Sequence, residues 1–522
     1  MKPKEDLRLD PLTGQYEFYL GDNYHKLTLF VEKGQLKIRE SRSSVLPLTP
    51  LDAESQNNLL FSGLQRGKPF RIEFSRKPDG TIPGFHFISG SLVIPVTRQA
   101  ESYLKKKYTV SELQEDFQQF RKLVESKAVS RYEFTTKEEF DRLFDTAYNL
   151  IRSPMSIREF YSLLLPLKEK IGCGHTHLDY PGEYRKKVQV RKFPLVMTLI
   201  DGRCYLLEDL CENSEMGKFS EITGINGIPM KSLVKTVTGD ISADGYNNQF
   251  KKAAFSSCFQ YYYANRYGVP GKYNIGFRDV SSGREDVATL PAIACKSINY
   301  SNRKAGELDF RSIPEFSAAV MTIPSFSYYR ERNKIFFKFI DQAFRKIKER
   351  KIDNVILDLR GNGGGDPWCG SYLLSYLEKE PVKYFAEPYP GYEKLSQPVP
   401  PASENRYTGK LVVLMDRSNF STSGHFLSLL KFHKMGTLIG EETGSTYTCN
   451  GAVKGFTLKN TRIYVKLSTR AYAAAVKGFD EQRGILPDIS ITPAASDLFT
   501  GRDSIMDKAM EVVKTEKPIR KK

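Results

Sequence analysis

Short runs that alternate apolar and polar residues fill the chain from about Tyr16 to Arg98: YEFYL, KLTLFVE, QLKIRE, FRIEF, FHFISG and SLVIPV. Turn signals at Asp22-Asn23, Lys33-Gly34, Pro78-Asp79-Gly80 and Ser89-Gly90 separate them. A period of two broken at regular intervals predicts a small antiparallel β barrel or sandwich. From Thr109 the period lengthens to that of a helix, with Leu113, Phe117, Phe120 and Leu123 on one face. Two more helices follow around Thr136 to Ile151 and Ser156 to Ile171, and Thr136…Glu139 and Ser156…Glu159 have the form of capping boxes. Strand patterns return in PLVMTLI and RCYLLEDL, then a hairpin through Ile225-Asn226-Gly227-Ile228-Pro229 and a short helix around Met230 to Val237. Beyond Tyr273 strands and helices alternate. Ala318 to Ile323 reads as a strand, and Lys334 to Glu349 as a helix striped by Ile335, Phe336, Phe339, Ile340, Ala343, Phe344 and Ile347. Asn354 to Leu359 and Leu411 to Met415 are continuous apolar runs, the signature of strands buried on both faces of a parallel sheet.

Composition narrows the class. Of 522 residues, 40% are hydrophobic and 12% aromatic, which suits folded domains with their own cores throughout. Lys and Arg number 78 against 61 Asp and Glu, a net charge of +17 that would suit nucleic acid, an anionic surface or acidic substrates. The charges are scattered, and neither a zinc-finger spacing nor an RNP-like motif accompanies them, so no nucleic acid is expected as a partner. No apolar run reaches the length of a membrane span, and Met1-Lys2-Pro3-Lys4 lacks an apolar signal core, which fits a cytoplasmic protein or one without its signal peptide. Seven cysteines (173, 204, 211, 258, 295, 369 and 449) fit neither a disulfide framework nor a zinc spacing, and most are expected as buried small hydrophobes.

Three stretches carry candidate chemistry. After the strand ending at Met415, polar turn residues lead through Ser421-Thr422-Ser423-Gly424 into a helix with Phe426, Leu429 and Leu430 on one face. A serine there is either an N-cap or a nucleophile beside free N–H groups of the first helical turn. After Leu359 comes Arg360-Gly361-Asn362-Gly363-Gly364-Gly365, where no Gly-Lys-Ser/Thr follows. An oxyanion-binding loop therefore fits better than a phosphate cradle. The third stretch, Gly172-Cys173-Gly174-His175-Thr176-His177, offers a general base, a metal-binding histidine pair or a surface histidine. No carboxylate or cysteine stands nearby at ligand spacing, so no metal and no cofactor are expected.

Four ordered motifs resemble the C-terminal-processing and tricorn-core serine peptidases of the S41 type: Asn354 to Gly365, the Ser421 turn, Ile439-Gly440-Glu441-Glu442-Thr443-Gly444, and Gly484-Ile485-Leu486-Pro487-Asp488-Ile489. The resemblance spans about 156–513, and the Ile225–Pro229 hairpin with its helix resembles a segment of PDZ domains, which capture peptide carboxyl termini. Together with the N-terminal antiparallel β domain (1–98), which lies outside the resemblance, this implies a multidomain α+β protein with a helical lead-in (99–170), a PDZ-like insertion (190–240) and an α/β, crotonase-like peptidase core (171–189 and 241–522). The Ser–Lys branch of the family would place a lysine near Ser445-Thr446, and none stands there before Lys454. The tricorn-like branch implies Ser421 as nucleophile, His175 as general base and Glu481 as the group that orients it, with backbone N–H groups of Gly364 and Thr422 as oxyanion hole.

Two positions depart from the pattern. Gly424 stands where the family usually has Glu, which makes Ser423 a rival nucleophile, and Gly174 stands where the tricorn-like branch can carry a serine. Asp480 is the rival to Glu481. His425 could line the cleft, while His177, His433, His25 and His86 are expected to be incidental and Cys173 buried. Thr443-Gly444 and the strand Thr461 to Leu467 would border the substrate. The resemblance implies peptide or protein substrates, cut internally or near carboxyl termini, and a periplasmic or cell-envelope location. The alternative is a catalytically silent peptide- or ligand-binding relative of the same fold.

Overall fold

The computed structural model describes residues 9–20, 23–40, 45–51, 58–65, 67–76, 82, 84–98, 106–182, 184, 191–211, 216–294, 307–402 and 405–515. The chain divides into two compact units, Met1–Lys107 with Phe456–Tyr464, and Tyr108–Gly455 with Val465–Lys522.

In the first unit nine antiparallel strands form one sheet. Its two ends meet in a single segment: Val45–Pro47 pairs with Gln35–Glu40, and Thr49–Leu51 pairs with Asn58–Gln65, so the path of pairing closes on itself. Tyr16, Leu29, Ile38, Phe61, Ile72, Phe74 and Val96 fill its interior, as the alternating pattern requires. The expected turns at Asp22 and at 78–80 lie outside the described residues.

The second unit begins with helices Val110–Lys127, Lys137–Tyr148 and Ile157–Glu169. Ser156 makes the full capping box, whereas Thr136 only accepts from the Glu139 N–H. In the first helix Val124, rather than Leu123, completes the buried stripe with Leu113, Phe117 and Phe120. A separate antiparallel sheet follows, built from Leu195–Ile200, Arg203–Asp209, Glu221–Ile225, Lys272–Arg278 and Glu285–Pro291. The sheet continues past residue 240. Strand Lys272–Arg278 pairs with Glu221–Ile225, and helix Asn248–Tyr267 packs Ala254, Phe255, Phe259 and Tyr263 into the same core. The stretch 241–291 therefore folds with 195–239 and not with the peptidase sheet. Its helix carries aromatic residues on all sides, so no stripe announces its partner.

The core sheet runs Asp309–Ile313, Ala318–Thr322, Asn354–Asp358, Lys410–Met415, Thr437–Gly440, Ile489–Ser490, with every pairing after the first parallel. Alternate residues point to opposite faces. Ala319, Met321, Val355, Leu357, Val413 and Met415 meet Phe336, Ile340, Phe344, Leu373, Phe426 and Leu430 on one side. Ala318, Val320, Ile356, Val412 and Leu414 meet Ile505, Ala509, Val512 and Val513 of the final helix on the other. Covering both faces buries the central strands and leaves the loops at their carboxyl ends as the accessible chemical surface.

One core group sets a pH dependence. Glu378 is 0% exposed, neither carboxyl oxygen has a hydrogen-bond partner among the described residues, and burial pushes its pKa up to about 8. The folded protein therefore holds a proton here that the unfolded chain releases above its ordinary carboxyl pKa of 4.5. Stability contributed by this group is fully present below that value and falls as pH rises toward about 8, by roughly 1.4 kcal/mol per pH unit at most. Glu378→Gln should flatten the fall, which denaturant titrations at pH 5.5 and about 8 would measure.

Candidate active site

Ser421 follows the strand Lys410–Met415 and occupies the cap position of helix Thr422–Phe432, yet its side chain makes no capping hydrogen bond. Its backbone lies at φ 58°, ψ −126°, a conformation that L residues rarely adopt and that neighbouring contacts must hold. Asn419 supplies several of them: its Nδ2 donates to the Leu359 carbonyl at 2.6 Å and to Ser423 Oγ at 3.0 Å, while its Oδ1 accepts from Asp416 N at 2.7 Å. Phe420 N donates to Asn362 O at 3.3 Å, and Thr422 Oγ1 donates to Gly365 O at 2.6 Å. The glycine loop and the serine turn are thus laced together across neighbouring strands. Ser423, the rival, is 0% exposed and accepts from Asn419, whereas Ser421 is half-buried.

The glycines are required where backbones touch. A Cβ on Gly364 (φ +90°) would lie 2.5 Å from Phe420 O and 2.9 Å from the Ser421 Cβ. On Gly365 it would lie 2.1 Å from the Phe326 carbonyl carbon. Of the two expected oxyanion donors, Thr422 N–H has no hydrogen-bond partner among the described residues, while Gly364 N–H donates to Asn362 Oδ1 at 2.9 Å. Gly364 can serve an oxyanion only by sharing or leaving that bond.

His175 reaches this turn from the other side of the sequence. Its ring lies 4.7 Å from that of Phe420, which stacks in turn on Phe250. Burial lowers its pKa to about 4, so the imidazole is neutral near pH 7 and free to accept a proton. Cys449 stands between the two: its Sγ donates to Ser421 Oγ at 3.4 Å and lies 3.8 Å from His175 Nδ1. No hydrogen bond joins Ser421 directly to His175 among the described residues. The thiol stays protonated, since burial, followed by the charge of Asp244, pushes its pKa well up.

Glu481 is not joined to His175 either. It is exposed and accepts from Tyr447 Oη at 2.6 Å. Asp480 is exposed as well and caps the Gln482 N–H at 2.8 Å. The carboxyl group that does approach His175 is Asp244, which no motif marked. It is 4% exposed, accepts from Gly174 N at 2.8 Å and Ser445 Oγ at 3.5 Å, and lies within 4.8 Å of a His175 nitrogen. Burial raises its pKa to about 7. Its loop is tied on both sides, Gly245 N to Gly172 O at 3.0 Å and Tyr246 N to Gln482 O at 3.1 Å. An Asp-Gly in a polar stretch is an ordinary turn signal, and only these long-range ties reveal its place.

Both departures from the family pattern have a steric cause. A Cβ on Gly174 would meet the Phe420 ring at 2.6 Å, and one on Gly424 would meet Ser445 Oγ and Thr446 O at 2.8 Å. His425 is buried with Nε2 3.1 Å from Tyr472 O, and His177 is exposed. His25 pairs with Glu40 at 2.6 Å in the N-terminal unit. The turn bearing Glu442 is pinned to 483–485, because Glu442 accepts from Arg483 at 2.8 Å and 3.1 Å and from Gly484 N at 2.9 Å.

A serine released from capping, presented at the carboxyl end of a parallel sheet beside a glycine loop and a neutral histidine, defines a hydrolase of the acyl-transfer kind. Residues 317–491 match the model of peptidase family S41. That match, confined to the core-sheet region, supports a serine-type peptidase. The fold of the chain is similar to that of mature CPAF, with a TM-score of 0.58 at 14% identity over 78% of this chain and 97% of that one. Mature CPAF complexed with lactacystin gives 0.59 at 14% identity over 78% and 98%. The photosystem II D1 C-terminal processing protease gives 0.41 at 14% identity over 77% and 98%. No curated protein matches the chain significantly.

The interposed thiol gives a direct test. Cys449→Ala removes an S–H···O bond worth about 1 kcal/mol and opens the path between Ser421 and His175, so labelling by a fluorophosphonate serine probe should quicken about fivefold. Labelling time courses followed by intact mass would show it, and slower labelling would mean that the thiol supports the serine.

Proposed function

We propose that the protein hydrolyses peptide bonds with Ser421 as nucleophile and His175 as general base. The observation that carries this reading is the positive-φ Ser421 with its uncapped side chain, one thiol away from a neutral imidazole. Ser421 Oγ attacks the scissile carbonyl while its proton passes to His175, which later protonates the leaving amine, and water completes the cycle by the same route. Thr422 N–H and, once turned from Asn362, Gly364 N–H stabilise the oxyanion. This requires Cys449 Sγ to swing aside when substrate binds.

The tricorn-like resemblance nominates Glu481 as the orienting carboxylate, and the contacts favour Asp244. A carboxylate near His175 stabilises the imidazolium that forms in the transition state, and a buried one does so most strongly. Peptides or proteins are the substrates, as the family implies. Action near carboxyl termini, a crotonase-like core and a PDZ-like role for the sheet within 195–291 belong to this proposal and rest on the motif resemblance, as does a periplasmic or envelope location. Among the described residues, no helix is long and apolar enough to cross a membrane.

The reading is tested with a fluorophosphonate probe on the purified protein and its variants. Labelling should be lost in Ser421→Ala, fall at least about a hundredfold in His175→Ala, and persist in Ser423→Ala. Absence of labelling in the unmutated protein, with or without peptides, would favour the silent relative. For the carboxylate, Asp244→Asn should lower kcat/KM at least about a hundredfold, and Glu481→Gln less than about tenfold. The opposite ranking would return the role to Glu481.

A further inference from the structure

We infer that Cys173, His175 and Asp244 form a zinc-type metal site that silences the peptidase when it is filled. One thiol sulfur, one imidazole nitrogen and one carboxyl oxygen lie within 4.8 Å of one another, with Cys173 and Asp244 buried and His175 half-buried. In the sequence His175 and His177 look like an isolated pair without companions. The fold turns His177 out to solvent and brings Asp244, 69 residues away, to the other side of His175.

The donor set is of the mixed nitrogen, sulfur and oxygen kind that suits Zn²⁺, and magnesium or calcium would not take a thiolate. Ligand atoms around a tetrahedral zinc stand about 3.5 Å apart, so the three side chains need to close by about an ångström. Each of the two buried ligands is already oriented from behind. Asp244 accepts from Gly174 N at 2.8 Å and from Ser445 Oγ at 3.5 Å, and Cys173 Sγ lies 3.3 Å from Ser468 Oγ. Cys449 Sγ lies 3.8 Å from His175 Nδ1 but outside this three-residue cluster, so solvent supplies the remaining position.

Binding releases the Cys173 proton to solvent and leaves the thiolate on the metal, with no change of oxidation state. A metal that takes up the His175 lone pair removes the base that Ser421 needs. This inhibitory consequence rests on the proposed role of His175, whereas the binding itself does not.

Co²⁺ titration of the full chain, read by absorption, separates the two. A tetrahedral d–d spectrum with a thiolate-to-metal charge-transfer band is expected at one equivalent, displaced by Zn²⁺ and lost on chelation. Cys173→Ser should abolish the charge-transfer band or weaken binding at least about tenfold, and Asp244→Asn should weaken it similarly, while His177→Ala should leave it unchanged. Circular dichroism establishes that each variant is folded, and Cys173→Ser is the milder change if Asp244→Asn is not. Zn²⁺ should block fluorophosphonate labelling of the unmutated protein, reversibly with chelator, and block Cys173→Ser only at a tenfold or higher concentration. No thiolate band, or binding indifferent to both ligand substitutions, overturns the site. A one-equivalent thiolate complex that still labels at the full rate overturns the inhibition and, separately, the assignment of His175 as base.

Discussion

The candidate site depends on one backbone constraint, the positive φ of Ser421 at the junction of strand and helix. A serine in ordinary helical approach would turn its hydroxyl onto the helix's first N–H groups and be consumed as a cap. At φ 58° the Oγ is released and the Thr422 N–H is left open beside it. Such a conformation persists only where surrounding contacts over-determine it. Here Asn419 binds the turn to the end of the neighbouring strand, and Gly364 and Gly365 let two backbones approach closer than any Cβ would permit.

Burial does the electrostatic work around that turn. Desolvation keeps His175 and Cys449 in their neutral forms near pH 7 and raises the pKa of Asp244 to about 7. A neutral imidazole is what a serine hydrolase needs of its base. The cost is that a buried thiol, with no stronger partner, settles between nucleophile and base. The two are near neighbours without being hydrogen-bonded, and the same crowding of soft and hard donors gives the cluster its capacity for a metal.

The four peptidase motifs, with the serine turn and the glycine loop, were legible in the sequence, because each depends on local chain geometry: apolar runs followed by Gly or Ser turns. The carboxyl group proposed to orient His175, Asp244, was not. Glu481 follows the family pattern but projects toward Tyr447 and solvent, while Asp244 acquires its position from hydrogen bonds to residues 172 and 482. The extent of the second sheet was hidden for a related reason. Helix Asn248–Tyr267 has aromatic residues all round, and strand Lys272–Arg278 finds its partner some fifty residues upstream.

By itself, then, the sequence determined the identity of the elements, the presence of a serine turn and a glycine loop, and the peptidase family that they resemble. Periodicity and turn chemistry are local, and they survive being read one segment at a time. Tertiary structure alone decided which side chains meet: that Ser423 is locked under Asn419, that Gly174 and Gly424 face atoms where no Cβ fits, and that Cys173, His175, Asp244 and Cys449 share one small volume. Those encounters follow from strand order and loop ties between residues up to a few hundred positions apart, and no short-range pattern encodes them.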